Sequence, residues 1–207
     1  MYAHVNFVRN EQPRPELGEE ALRLHKELLP RRQQQHAGYQ GTLLLVDLVK
    51  GKAFDIDLYE SPAHLQAAHQ QGHYQGEQAQ YEHLISEPPV QEVYEVAVHD
   101  IEMGSTLTHA AVHIAHLPPD KLDEGITIFR DSVVPELRQF KGFKGALLLV
   151  NRQAGKSMMI AVYDSEAEVK EVEHSGAYRK QVAKFAHLFS APPTREVYEV
   201  AYYGLSK

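Results

Sequence analysis

The stretch Gly142-Phe143-Lys144-Gly145, which runs into Ala146-Leu147-Leu148-Leu149-Val150, decides the fold because the chain contains it twice. The earlier counterpart is Gly38-Tyr39-Gln40-Gly41 followed by Thr42-Leu43-Leu44-Leu45-Val46, and the two copies are 104 positions apart. Further motifs recur at the same interval: Tyr59-Glu60-Ser61 and Tyr163-Asp164-Ser165, Pro88-Pro89 and Pro192-Pro193, and residues 92–97 and 196–201. Matches that keep one register over this length predict two copies of one folding unit.

The first strand and first helix of each copy follow from apolar spacing. Ala3, Val5 and Phe7 alternate with polar neighbours, which predicts a strand whose apolar side packs against helices. Apolar residues then recur with a helical period in both copies: Leu17, Ala21, Leu24 and Leu28, and Leu122, Ile126, Phe129 and Val133. We therefore expect Leu24 and Phe129 to occupy the same place on the two helices.

The second half of each copy reads as a hairpin, a broken helix and a last strand. Gly51 and Gly155 predict the hairpin turns. Ser61 and Ser165 predict helix starts by side-chain capping, and the glycine in each Gly-x-Tyr motif interrupts the helix that follows. Each copy therefore predicts the order β-α-β-β-α-β.

That order is the α+β arrangement of a ferredoxin-like unit. The predicted units are residues 1–99 and 105–207, with 100–104 as a linker. Helices on one face of each sheet leave the other face uncovered, and a bare apolar face is unfavourable in water. We expect the two sheets to pack face to face as an intrachain pseudo-dimeric α+β barrel.

Composition excludes several classes of protein. The net charge of −7 argues against binding nucleic acid through its phosphates. An apolar run of about 18 residues, which a membrane helix needs, does not occur, and residues 1–10 lack the features of a secretory signal. The chain has no cysteine, which favours a cytoplasmic protein. We expect no nucleic-acid partner and no membrane association.

The order of these motifs resembles the antibiotic biosynthesis monooxygenase-like family of dimeric α+β barrels, over essentially both halves of the chain. The resemblance implies that this chain is a fused version of the usual dimer. It also implies a small-molecule-binding protein, with the activity of a cofactor-independent monooxygenase on an aromatic or phenolic substrate. No cofactor is expected for that activity.

Haem degradation, another activity of this family, is an alternative that the residues support poorly. The family's haem-degrading members use a tryptophan, a histidine on the second helix and an asparagine near the first strand. This chain has no tryptophan, and His69 and His73 do not have the expected spacing from the Tyr59-Glu60-Ser61 motif. Only Asn6 or Asn10 matches the asparagine.

The candidate site consists of polar residues on the sheet face that we expect to point away from the helices. We assign His113, His4 and Asn6 as catalytic candidates. The substrate-binding candidates are Asp55, Asp57, Tyr59 and Tyr163. Histidines and carboxylates in an enclosed space can remove a phenolic proton, which makes the ring electron-rich enough to react with oxygen. The second copy has Ala111, Met159 and Ala161 where the first has His4, Asp55 and Asp57, so we expect at most one half to keep a polar pocket.

A non-catalytic association protein with a barrel filled by side chains is the competing interpretation. A cavity above roughly 300 Å³ that exposes His4 or His113 favours small-molecule binding, and a filled barrel favours association. We expect no metal site, because Gly72 separates His69 from His73 and no cysteine or paired carboxylate accompanies His109 and His113. The expected partner is a small aromatic ligand. We also expect the two fused repeats to associate with each other, and the chain to form further homo-oligomers as an extension.

Overall fold

The computed structural model describes residues 1–11, 13–102 and 104–205. The chain forms two compact units. The first contains Met1–Val93 together with Val200–Lys207, and the second contains Tyr94–Glu199. None of the described helices is both long and apolar enough to cross a membrane.

The first unit has the predicted order of elements. Its strands and helices are β1 (Tyr2–Arg9), α1 (Pro15–Gln35), β2 (Tyr39–Asp47), β3 (Lys52–Tyr59), α2 (Pro62–Gln70), α3 (His73–Tyr81) and the start of β4 (Val90–Ile101). Strand β3 lies between β1 and β2 and pairs antiparallel with both. Residues 200–205, at the end of the last strand of the chain, also belong to this unit.

The second unit repeats this order. After the rest of β4 come β5 (His109–His116), a 3₁₀ turn (Pro119–Lys121), α4 (Leu122–Ile128), a π-helical turn (Phe129–Val133), α5 (Val134–Leu137), β6 (Phe143–Asn151), β7 (Lys156–Tyr163), α6 (Glu166–His174), α7 (Ala177–Phe185) and β8 (Thr194–Leu205). Strand β7 pairs antiparallel with β5 and β6. Strand β4 pairs with β6, and the first part of β8 pairs with β5. Both units are α+β and ferredoxin-like, as predicted.

The second glycine of each repeated motif is needed at a bulge. Gly145 has φ 140° and Gly41 has φ 137°, a backbone region that side chains disfavour. The strand register shifts beside both glycines. A Cβ atom at Gly145 would overlap the carbonyl oxygen of Asp100 on β4. Glycine there allows the neighbouring strand to approach, which explains why the motif accompanies the buried strands.

The predicted helix starts and interruptions are confirmed. The backbone N–H groups of His64 and Glu168 donate to the hydroxyls of Ser61 and Ser165. The left-handed Gly72 and Gly176 separate α2 from α3 and α6 from α7, with φ of 74° and 76°.

The π-helical turn makes the predicted pairing of Leu24 with Phe129 wrong. A π turn accommodates one extra residue in a helix, so equivalent helix positions are 104 residues apart before it and 105 residues apart from it to the end of the helix. Phe129, which is fully buried, therefore corresponds to His25, also buried, whereas Leu24 is half-buried. The apolar period of α1 correctly predicted a helix with Leu28 buried, but it placed the buried residue of the preceding turn at Leu24 instead of His25.

The boundaries of the compact units differ from the predicted domains. They fall inside β4 and β8. Strand β4 extends through Asp100 and Ile101, which pair with Ala146 and Gly145, so it includes the first two residues of the predicted linker. Met103 of that linker lies outside the described residues. Face-to-face packing of the two sheets stays a prediction.

The assignment of the sheet faces was wrong. In the first unit, Asp57 and Tyr59 contact Arg32 of α1 and Tyr74 of α3, so the polar face of the sheet is the one that the helices cover. In the second unit, His113 packs against Tyr178 of α7, with ring centroids 5.1 Å apart. The reason is that both sides of the strands are buried, and alternation alone does not identify the helix side.

Candidate functional site

A buried arginine organises the polar face of the first unit. Arg32 on α1 is 3% exposed. Its Nη1 donates to Asp57 Oδ1 at 2.9 Å and lies 3.0 Å from Asp55 Oδ2, and its Nε donates to Glu77 Oε2 at 2.8 Å. Two carboxylates come from β3 and one from α3. The ion cluster formed by Arg32, Asp55, Asp57 and Glu77 thus joins α1 and α3 to the sheet.

A chain of hydrogen bonds leads from Asp57 to His36. The Tyr74 hydroxyl donates to Asp57 Oδ2 at 3.1 Å and lies 2.6 Å from the Tyr59 hydroxyl, which lies 2.6 Å from His36 Nδ1. Because Tyr74 donates to Asp57, Tyr59 donates to Tyr74 and His36 Nδ1–H donates to Tyr59. Thr42 also donates to Asp57. Asp57, which is 0% exposed, therefore has its acceptor positions occupied.

Burial shifts the protonation of the whole region. It raises the pKa of Asp55, Asp57 and Glu77, against the opposing effect of Arg32. The same desolvation lowers the pKa of His4 and His25 to about 3. The histidines are therefore neutral, and the carboxylates hold their protons more tightly than in water.

A cavity of about 140 Å³ lies beside the ion cluster, within the first unit. Apolar side chains of α1, β2 and the segment after α3 form much of its wall: Leu17, Ala21, Leu44, Val46, Leu84 and Ile85. Polar and charged groups also line it: Asn6, Arg14, His25, Arg32, Asp47, Lys52, Asp55, Tyr74, Glu77 and Tyr81. Asn6 and Asp55 are direct partners across β1 and β3, and His25 Nε2 is 3.8 Å from Asp55 Oδ1.

The second unit builds the same layers without the ion cluster. The positions of Arg32, Asp55, Asp57 and Glu77 are occupied by Leu137, Met159, Ala161 and Gln181. The first three of these replacements join its hydrophobic core or pack against it, and its cavity is about 60 Å³. Buried ion clusters often stabilise a fold no better than apolar residues. The second unit shows that the fold does not require the cluster.

The predicted site residues separate into four groups. Asn6 and Asp55 lie together at the first-unit cavity. His4, Asp57 and Tyr59 are fully buried behind it. His113 lines the smaller cavity of the second unit. Tyr163 packs against Phe143, with ring centroids 5.8 Å apart. The catalytic and binding roles of all seven residues stay predictions.

The residues that the helices contribute to the site were not predicted from the sequence. His25 and Arg32 lie seven residues apart on one face of α1, and His36 is the residue that follows the end of this helix. Comparison of the two copies could have identified Arg32, because the second copy has Leu137 at the corresponding position. The apolar residues Leu17, Ala21, Leu24 and Leu28 were interpreted as the buried face of this helix instead.

The histidines considered as metal ligands have other neighbours. The ring of His69 lies 4.6 Å from that of His4, and the ring of His73 stacks on His36 at 4.6 Å. Within residues 1–11, 13–102 and 104–205, no group of three or more histidine or carboxylate side chains is arranged to hold a metal ion.

Sequence comparison identifies distant relatives in Mycobacterium tuberculosis. An uncharacterized protein of Mycobacterium tuberculosis, found in two strains, is 27% identical over 132 residues. The match covers 62% of this chain and 57% of the relative, so it spans little more than half the length of that protein. No protein-family model matches the chain.

Structural comparison is more informative about the fold. A candidate monooxygenase from Fusobacterium nucleatum has a TM-score of 0.75 and 11% identity, covering 99% of this chain and 94% of its own. An anthrone oxidase-like protein has a TM-score of 0.72 and 14% identity, covering 99% and 92%. A Listeria monocytogenes ferredoxin-fold protein related to antibiotic biosynthesis monooxygenases has a TM-score of 0.55 and 10% identity, covering 96% and 94%. The chain therefore has the ferredoxin-like fold of the antibiotic biosynthesis monooxygenase-like proteins, as its repeated motifs indicated.

Proposed function

We propose that the first unit binds a small aromatic compound and acts as a cofactor-independent monooxygenase on a single-ring phenol. The observation that carries this proposal is the cavity of about 140 Å³, where apolar walls adjoin the side chains of Asn6, His25 and Asp55. Apolar walls with a few polar groups are typical of small-molecule sites. A structural neighbour described as anthrone oxidase-like supports the reaction class.

Asp55 is the proposed general base. Burial raises the pKa of its carboxyl group, and a base with a raised pKa accepts a phenolic proton more readily. The resulting phenolate donates electrons to dioxygen, which adds to a ring carbon as a hydroperoxide. Loss of water then leaves a quinone, so that one phenol and one dioxygen give one quinone and one water. Asn6 lies next to Asp55 across strands β1 and β3. In this proposal it positions the phenolic oxygen of the substrate.

The size of the cavity restricts the substrate. A cavity of roughly 150 Å³ holds one benzene ring, and this one is about 140 Å³. The substrate is therefore smaller than a three-ring compound such as anthrone.

A cytoplasmic location, inferred from the lack of cysteine, is part of the same proposal.

Non-catalytic binding of a small aromatic compound is the second candidate. It is favoured by a volume below the roughly 300 Å³ that we set as the lower limit for a typical ligand site. His4, which we expected inside the cavity, is fully buried. The two candidates share the ligand and differ only in whether oxygen is consumed.

Oxygen consumption with single-ring phenols tests the enzymatic proposal. We expect uptake with phenol and its methylated derivatives, and none above background with a three-ring phenol. Asp55→Asn should lower the turnover by about 10²–10⁴-fold, the usual contribution of a general base. Met159→Leu, at the corresponding position of the second unit, is the matched control and should leave turnover unchanged. Ligand binding without oxygen uptake would support the non-catalytic candidate instead.

The pH dependence of turnover gives a second prediction. Asp55 must be ionised to act as a base, and burial raises its pKa. The rate should therefore fall as the pH drops through a value above the ordinary aspartate pKa of about 4. A pH–rate profile between pH 4 and pH 9 measures this limb, with buffers of constant ionic strength. An acid limb at or below the ordinary value would exclude Asp55 as the base.

A further inference from the structure

His25 on α1 and Asp55 on β3 lie side by side on the wall of the first-unit cavity. Nε2 of His25 lies 3.8 Å from Oδ1 of Asp55, which is too long for a hydrogen bond. Nε2 has no hydrogen-bond partner, although the residue is only 4% exposed. A buried polar atom without a partner is costly. One oxygen atom in the cavity, about 2 Å to the side of the line that joins Nε2 and Oδ1, would be within hydrogen-bonding distance of both.

The surroundings of the imidazole decide which nitrogen carries the proton. Nδ1 lies 3.5 Å from the hydroxyl of Tyr81, and Nε2 faces the carboxylate of Asp55. A lone pair on Nε2 would be repelled by that carboxylate, so Tyr81 donates to Nδ1 and Nε2 carries the hydrogen. Burial, followed by the charge of Arg32, lowers the pKa of His25 to about 3. The ring is therefore a neutral donor.

We infer that His25 Nε2 and Asp55 Oδ1 together form a hydroxyl-binding slot on the cavity wall, which takes the phenolic hydroxyl of a single-ring aromatic ligand. The hydroxyl donates to Asp55 and accepts from His25 Nε2–H. This inference rests on the proposed function and adds His25 as a residue that touches the substrate. When Asp55 takes the proton, the O–H electron pair stays on the phenolate oxygen, and Nε2–H stabilises that charge.

The second unit lacks this slot. Phe129 and Met159 occupy the positions of His25 and Asp55, and both line the cavity of about 60 Å³. Neither side chain can hold a hydroxyl in the same way, because phenylalanine has no donor and methionine has no carboxylate. The second unit therefore provides matched residues for testing the first.

Calorimetric binding of phenol and toluene to the full chain tests the slot, since the two ligands differ by a hydroxyl and a methyl group of similar size. Phenol should bind more tightly by on the order of 10- to 100-fold, because toluene leaves His25 unpaired. His25→Phe, the residue of the second unit, should remove this preference. His25→Gln keeps an N–H donor and should retain part of it. Met159→Leu should behave as the unchanged protein.

A chromophoric phenol gives a readout that does not depend on turnover. The visible absorbance of bound 4-nitrophenol reports its ionisation, which should require a higher pH in His25→Phe than in the unchanged protein. The variant retains the other titratable groups around the slot: Lys26, Arg32, Asp57, Tyr74, Glu77 and Tyr81. Equal affinity for phenol and toluene in the unchanged protein would overturn the slot and leave single-ring binding intact. If neither ligand binds, the slot and the proposed function are both wrong.

Discussion

Arg32→Leu should destabilise the first unit by about 3–5 kcal/mol at neutral pH, the usual cost of removing one partner from a buried ion pair. Arg32 contacts Asp55, Asp57 and Glu77, and these carboxylates would lose the cation that offsets their burial. Urea unfolding monitored by circular dichroism measures the change. Because the carboxylates can then take up protons, the loss should shrink as the pH falls.

Two further variants separate charge from packing. Arg23→Leu removes an exposed arginine from the same helix, where its ion pair with Glu27 is solvated, and should cost less than about 1 kcal/mol. The second comparison installs the residues of the second unit together: Arg32→Leu, Asp55→Met, Asp57→Ala and Glu77→Gln. That fourfold variant should be more stable than Arg32→Leu alone, because it leaves no carboxylate without its cation, although Thr42 and Tyr74 lose their acceptor. If it is as unstable as Arg32→Leu alone, unpaired charge is not the cause.

The sequence predicted the fold well because the relevant signals are local or repeated. Gly145 marks a bulge that no other residue fits, and Ser61 and Ser165 mark helix starts through their own side chains. Each of these features depends on a few neighbouring residues. Their recurrence at a constant interval indicated that both copies form the same elements.

The side of the sheet on which the helices lie could not be predicted in this way. Ile56 and Asp57 are both 0% exposed, although they point to opposite faces of β3. An apolar residue on one face and a charged residue on the other normally means core and solvent. Here Arg32 compensates the charge of Asp57, and the two residues are 25 positions apart in the chain. Only the tertiary structure brings the two together.

The candidate site was predicted only in part, because some of its residues also depend on tertiary structure. Asn6 and Asp55 were identified because they break an apolar strand pattern, and they do lie together at a cavity. His25 was missed because the extra residue of the π turn displaces the comparison with Phe129 by one position. Such a displacement is invisible in a regular apolar period. Substituting residues between the two units is therefore the most direct way to separate function from fold.

His4→Gln should weaken the dependence of stability on pH by about 2–3 kcal/mol between pH 7.5 and pH 4.5, since each tenfold change in proton affinity corresponds to about 1.4 kcal/mol. Burial, followed by the neighbouring His69, lowers the folded-state pKa of His4 to about 3, while the unfolded chain has the ordinary value of about 6.5. The unfolded state therefore binds the proton first, so the contribution of His4 is complete above pH 6.5 and is lost as the pH falls. Raised carboxylate pKa values act in the opposite direction, but both proteins share them. Leu65→Ala, a buried change without a titrating group, should lower stability and leave the pH slope unchanged. Urea unfolding at each pH measures the slopes, and parallel curves for His4→Gln and the unchanged protein would show that His4 titrates alike in the folded and unfolded chain.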